Sequence, residues 1–214
     1  RSTVAYMQEK QALHPLIGPS QSIPGGPHVR KAPCQFGWDW GPQLPPVGIW
    51  KDVRLEGYST ACLDNVLIRQ NHQDDRVKVY ADIFLKRLEK GTCRAVLSIM
   101  SPDGVKTEID CLMQDDYTTG TLSLDILNPQ LWWPNGMGGQ PLYEVEICLT
   151  DGEGTELDSI TKRIGLRTLR LIRKPDRWGE SFYFEANGKA FFSKGANWIP
   201  ADVFVTRPDA GQYE

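Results

Sequence analysis

A mainly β protein with an antiparallel sandwich at its centre is what this sequence predicts, and three observations carry that expectation. "RVKVYADIFLKR" (76–87) alternates strictly: Val77, Val79, Ala81, Ile83 and Leu85 fall on one face, and Lys78, Tyr80, Asp82, Phe84 and Lys86 on the other. That period of two belongs to a strand with one face buried. Short β-branched runs punctuated by Asp, Pro and Gly leave room for about seven strands between Ala61 and Leu169, the size and rhythm of an immunoglobulin-like sandwich. No Cys-Trp-Cys spacing of the antibody kind accompanies them. Finally, Asn187-Gly188 sits between two aromatic runs, a strong hairpin signal because a type I′ turn needs positive φ at both central residues.

The elements follow in order. "TVAYMQEKQAL" (3–13) is a short helical candidate, and "HPLIGPSQSIPGGP" after it, with four prolines and three glycines, is loop. From "GIWKDVRLEGY" (48–58) the text turns to strand patterning. "CRAVLSIM", the "SPDG" turn, "VKTEIDCLM" and "TGTLSLDIL" continue it. "PLYEVEICLT", the "DGEG" turn and "TELDSITKRIGLRTLRLI" complete the sandwich. The second arm of the 187–188 hairpin, "AFFSKG", reads as a strand running into "GANWIPAD", a polar motif at a strand end.

The 214 residues exceed one average domain, and 40% hydrophobic content supports packed cores. A net charge of −3 without basic clusters speaks against nucleic acid as a partner. No apolar run approaches the roughly 20 residues that span a bilayer, so no membrane partner is expected. Cys34, Cys62, Cys93, Cys111 and Cys148 are scattered and odd in number, neither a disulfide framework nor a zinc site. With no N-x-S/T sequon, they lean towards a reducing compartment. His14, His28 and His72 are isolated, so neither a metal site nor a Ser/His/Asp triad is built. The opening "RSTVAYMQEK" and closing "TRPDAGQYE" read as cuts through a longer protein.

"CQFGWDWGPQLPP" (34–46) sets a carboxylate, Asp39, between two indoles. A buried aspartate there would be costly without partners. Two readings are open: a carboxylate aimed at a ligand's hydroxyls, or one capping its own turn before Gly41-Pro42. Trp50, Trp132, Trp133 and Trp178, beside strand-like text, read as packing residues.

Together "FGWDWGPQLPPVGIWKDVRLEGY" (36–58), "LWWPNGMGGQPLYEVEI" (131–147) and "RIGLRTLRLIRKPDRWGESFYFEANGKAFFSKGANWIPAD" (163–202) resemble the β-mannosidases of glycoside hydrolase family 2. The resemblance implies residues 1–58 as the end of a jelly-roll sugar-binding domain and 59–168 as the immunoglobulin-like domain. Residues 169–214 would be the first hairpin and strand of a (β/α)₈ barrel. Retaining glycosidases work with two carboxyl groups about 5–5.5 Å apart. By resemblance both are glutamates on later barrel strands beyond residue 214, so no catalytic residue and no hydrolysis are expected of this chain alone. The expected substrate is a β-mannoside oligosaccharide, with no cofactor.

The expected sugar contacts are Trp38 and Asp39, then Asn197 and Trp198 at a strand end, and Asp202. The competing readings are that Trp198 packs under the barrel mouth and that Asp202 caps the next turn. By resemblance, bacterial relatives are cytoplasmic or periplasmic and animal ones lysosomal, with the cytoplasm the first expectation. Competing descriptions are another family-2 exo-glycosidase such as a β-glucosaminidase, a non-catalytic carbohydrate-binding module, and a structural spacer. Only residues of about 59–168 are expected to fold robustly on their own.

Overall fold

The computed structural model describes residues 2–213 apart from Pro46, Trp50 and Val205. Trp50, read from sequence as a packing residue, therefore lies outside the described residues. The chain divides into two compact units. One comprises residues 1–55 and 195–214, and the other Glu56–Lys194.

The Glu56–Lys194 unit holds the sandwich. Seven strands run β1 Ala61–His72, β2 Arg76–Arg87, β3 Cys93–Met100, β4 Lys106–Met113, β5 Thr119–Leu127, β6 Tyr143–Thr150 and β7 Glu156–Ile164. They form two antiparallel sheets, ordered β1-β2-β5 and β4-β3-β6-β7. The alternation predicted for 76–87 is the observed one: Val77, Val79, Ala81 and Ile83 are fully buried and Leu85 nearly so. Ala95, Leu97 and Ile99 of β3 and Val145, Ile147 and Leu149 of β6 belong to the same apolar cluster. Register fixes who meets whom, with Ile83 opposite Val66 and Leu97 opposite Ile147. A slip of one residue would turn each of these side chains outward. Cys93 is buried on β3, and Cys111 and Cys148 are half-buried on β4 and β6. Burial raises all three thiols above their ordinary range.

Polar ties close the sandwich along β1 and β7. The Leu63 N–H donates to Asp158 Oδ2 at 2.8 Å. Lys162 Nζ donates to the Val66 carbonyl. Gln70 donates to the Gly165 carbonyl at 3.1 Å and accepts from the Arg167 N–H at 3.2 Å. At the other end, the Arg87 guanidinium gathers four carbonyls: Gly91, Met113, Gln114 and Tyr117, at 2.6 to 3.2 Å. One cation thereby fastens the end of β2 to the β2–β3 and β4–β5 connections.

A third sheet, with shorter strands, follows: β8 Leu169–Ile172, β11 Tyr183–Ala186 and β12 Lys189–Phe191, ordered β12-β11-β8. Between β8 and β11 the two-residue pair β9 Pro175–Asp176 and β10 Gly179–Glu180 makes a further hairpin, unseen in the sequence pattern. It carries Trp178, which is 80% exposed with the Arg177 guanidinium 3.8 Å from its ring centroid. The packing role expected of Trp178 is not what is seen, because the two-residue ladder lifts it away from any core.

Trp132 and Trp133 do pack. Trp132 lies on Gly165, where an added Cβ would meet its ring at 2.7 Å, with Arg167 4.5 Å from its ring centroid. Asn187 occupies the predicted hairpin turn at φ +48°. It does more than turn the chain. Its amide donates to the Trp132 carbonyl at 3.0 Å and accepts from the Thr168 N–H at 2.9 Å.

Two strand expectations need correction. Residues 51–58 form no strand, since the ladder begins at Ala61, and Val53 is 77% exposed. Likewise "AFFSKG" is paired only to Phe191, and residues 192–200 form no strand. In both places the apolar pattern is present but no ladder partner among the described residues stands beside it, and pairing rather than pattern makes a strand.

The other unit has α1 Thr3–Leu13, as predicted. Good helix formers fill it, and it stops at His14 because the following Pro15 disfavours a helical residue before it. Met7 and Phe36 are its buried apolar side chains among the described residues. The described residues before Ala61 form no strand; Trp38 and Gly41 make an isolated bridge.

Two outcomes are expected. Arg87→Met should lower stability by about 2 kcal/mol, the scale of hydrogen bonds to a charged group. In urea unfolding this appears as a lower midpoint at unchanged slope; an unchanged midpoint would remove Arg87 from the account. The second concerns Asp82, whose carboxyl the bidentate Arg69 guanidinium (2.5 and 2.8 Å) and the Thr121 hydroxyl hold below the usual range. The unfolded chain then binds the proton more tightly. The contribution is present above the unfolded value near pH 4 and disappears as pH falls through the folded one. Asp82→Asn should flatten the loss of stability below about pH 4 in a pH series of unfolding curves.

Candidate functional site

The residues flagged in the sequence as sugar contacts all lie in the unit made of residues 1–55 and 195–214. The "WDWG" segment is a tight reversal. The Trp38 N–H donates to the Gly41 carbonyl at 3.1 Å, and the Gly41 N–H returns to the Trp38 carbonyl at 3.3 Å. Asp39 and Trp40 are left at the corners. Gly37 sets the approach to this turn with φ +117° and ψ 145°, a region essentially closed to residues with a Cβ. A Cβ there would also stand 2.6 Å from the Gln21 carbonyl oxygen. Gln43 Nε2 donates to that same carbonyl at 2.9 Å, and the Ile23 N–H donates to the Phe36 carbonyl at 2.8 Å, so both flanks of the turn are held.

Asp39 is exposed, and its carboxylate makes no hydrogen bond or ion pair among the described residues. The turn is closed by backbone alone, so the carboxylate does not cap it. Both oxygens are available to an incoming donor.

Asp202 is placed otherwise. Its Oδ1 accepts from the Phe204 N–H at 2.7 Å, and its Oδ2 faces Arg207 Nε at 3.3 Å. The two carboxylates picked out by the sequence thus differ in kind: one is engaged on both oxygens and the other on neither.

Within this unit a pocket of about 450 Å³ has Trp40, Pro42 and Leu44 on one side and residues 199–204 with Arg207 on the other. Of the five flagged residues only Asp202 lines it. Trp38 lines a neighbouring pocket of about 430 Å³ with Pro27, Lys31 and Phe36. Asn197 and Trp198 are exposed, Trp198 at 75%, on the unpaired stretch before Ile199. Two lining residues went unnoticed in the sequence. Trp40 is the second indole of "WDW", and the turn that aims one indole at each pocket is not legible in residue order. Arg207 gave no signal, because its partner lies five residues away in text without a periodic pattern. Among the described residues no three His, Cys, Asp or Glu side chains converge as a metal-holding group, and no helix is long and apolar enough to cross a membrane.

The family is decided by comparison of this chain with known proteins. The model for "Glycosyl hydrolases family 2" matches residues 61–167, and that for the "Glycosyl hydrolase 2 galactose-binding domain-like" region matches residues 1–51. The chain belongs to glycosyl hydrolase family 2. β-Mannosidase B of Aspergillus oryzae is 38% identical over 188 residues, covering 86% of this chain and 22% of the relative. β-Mannosidase B of Aspergillus terreus is 33% identical over 210 residues, covering 97% of this chain and 24% of the relative. This chain therefore spans about a quarter or less of these curated relatives.

Among solved structures, the β-D-mannosidase of Dictyoglomus thermophilum matches at a TM-score of 0.85 and 32% identity, over 99% of this chain and 26% of that one. An exo-chitosanase from Amycolatopsis orientalis matches at 0.54 and 19% over 71% of this chain and 18% of that one, a likeness of fold alone.

Gly37→Ala should open the 38–41 turn. The strain is on the order of 1–3 kcal/mol before any clash is counted. Tryptophan emission should shift to the red, while the sandwich unfolds at its original denaturant concentration. Unaltered emission would mean that the turn is held without Gly37.

Proposed function

We propose that this chain is part of an exo-acting retaining β-mannosidase that removes terminal non-reducing β-D-mannose from oligosaccharides. The chain supplies scaffold and glycone-pocket residues, and the two catalytic glutamates belong to barrel strands beyond residue 214. Residues 169–214 are the entry to that barrel in this reading, and residues 1–58 the end of the sugar-binding domain. The likeness to relatives named β-mannosidase at 32–38% identity supports the substrate class.

The observation that carries the pocket assignment is the Asp39 carboxylate, exposed and unpartnered at the corner of a backbone-closed turn between two indoles. A mannosyl ring presents adjacent hydroxyls that donate to a carboxylate in pairs, and charge-assisted hydrogen bonds are the stronger kind. It also presents a C–H face that packs on an indole. Trp38 and Asp39 offer both elements side by side. Asn197 and Trp198 supply further contacts from the stretch before Ile199. No step needs a cofactor, because the chemistry runs on carboxylates.

The test is hydrolysis of an aryl β-mannoside by the full-length polypeptide, with the β-glucosaminide as comparison. Asp39→Asn should lower kcat/KM on the mannoside by about one to two orders of magnitude, the loss expected when a charged hydrogen-bond partner is neutralised. Unchanged circular dichroism would show the fold intact. Preference for the β-glucosaminide would move the enzyme to the other exo-glycosidase class. An Asp39→Asn enzyme as active as wild type would remove Asp39 from the pocket.

A further inference from the structure

We propose that Arg207 is a positioning residue of this site: acting through Asp202, it braces the stretch that carries Asn197 and Trp198, and so withdraws Asp202 from direct sugar recognition. The inference deepens the mannoside reading above and rests on it for its functional consequence. Its structural part stands separately.

The brace has four contacts. Asp202 Oδ1 caps the Phe204 N–H, and Asp202 Oδ2 faces Arg207 Nε. The Arg207 N–H donates back to the Phe204 carbonyl at 2.9 Å. The Arg207 guanidinium lies 5.4 Å from the Phe204 ring centroid, within cation–π range. Cap, ion pair and stacked cation tie three side chains within six residues into one knot.

The knot is anchored on its far side. Asp209 accepts from the Gln212 N–H at 3.2 Å, and the Asp209 N–H donates to Gln212 Oε1 at 2.9 Å, a reciprocal capping box. On its near side, residues 193–201 make no hydrogen bond among the described residues. Asp202 is therefore the first fixed point after Asn197 and Trp198. The knot also lines the pocket across from Trp40 and Pro42, so a shift of the knot changes the pocket's width.

Stability does not explain the arrangement. The Arg207 side chain is 62% exposed, and exposed ion pairs add little to stability. What the pair supplies is direction. Asp202 spends one oxygen on the backbone and the other on the guanidinium, whereas Asp39 spends neither. Recognition and support are divided between the two carboxylates.

The experiment compares Arg207→Gln, Arg207→Lys, Asp202→Asn and the Arg207→Gln/Asp202→Asn double variant. In the 214-residue chain, amide hydrogen exchange at Phe204 and Arg207 should speed up by about tenfold or more in Arg207→Gln, with sandwich amides such as that of Ile83 unaffected. In the full-length polypeptide, kcat/KM on an aryl β-mannoside should fall about tenfold to a hundredfold, the scale on which a small misplacement of binding groups acts. Arg207→Lys should recover part of it. Residues that act through one another are non-additive, so the double variant should be no worse than the poorer single one.

Unchanged exchange at Phe204 overturns the brace. Additive losses in the double variant overturn it as well, since they would mean that Asp202 meets the sugar independently of Arg207. Faster exchange in a polypeptide that hydrolyses no β-mannoside upholds the brace and overturns the mannoside reading.

Discussion

The fold depends on a constraint of strand geometry: consecutive residues of a strand must face opposite ways. In β2, β3 and β6 every second side chain enters one shared interior, from Val79 and Ile83 on one sheet to Leu97 and Ile147 on the other. The remaining side chains of those strands face the other way, most of them half-buried or exposed. Asp82, Lys78 and Glu146 sit between buried neighbours without meeting the core, because the pleat allows nothing else. The interior holds the two sheets in register, and the register in turn places the turns and edges where the polar ties form.

Those ties show how the chain treats its carboxylates. Asp82 is gripped by Arg69 and Thr121, Asp158 accepts from the backbone of β1, and Asp151 accepts from Glu153 and Thr155 in its own turn. Asp202 is engaged on both oxygens. Asp39, like the exposed Asp64 and Asp125, makes no side-chain hydrogen bond or ion pair among the described residues; what sets it apart is the turn that carries it. An exposed carboxylate is ordinary; one on a turn closed by its own backbone, entered through a glycine that tolerates no Cβ, is held in place without being used.

The sandwich was largely legible in the sequence because alternation is a local signal. The text of β2, β3, β5 and α1 was read with the observed boundaries, and the seven-strand count between Ala61 and Leu169 agrees with the structure. Where alternation was present but a partner strand was not, at 51–58 and 192–194, the sequence spoke of strands that do not pair. The β9–β10 hairpin was invisible, since two-residue strands have no period to read. For the site, residue type pointed to Asp39 and Asp202 alike. Only the hydrogen bonds distinguish them. Trp40 and Arg207 emerge from how a turn aims its corners and which side chain reaches back five residues, neither of which a linear pattern records. Asn187 lay between the two cases: its turn was legible, while its second task of fastening Trp132 to Thr168 was not.

The seam between β1 and β7 has a consequence for biosynthesis. Its bonds join residues 95 to 97 positions apart, as from Leu63 to Asp158 and from Gln70 to Arg167. On a ribosome the β1–β2 hairpin can close early, but its outer edge has no partner until the chain has grown by almost a hundred residues. Domains emerge and fold from the N-terminal side, and strand edges exposed in the meantime invite mispairing. Until Asp158 and Lys162 arrive with β7, the Leu63 N–H and the Val66 carbonyl on β1 lack their partners in this seam, and unpaired backbone groups at a strand edge are what a stray strand pairs with.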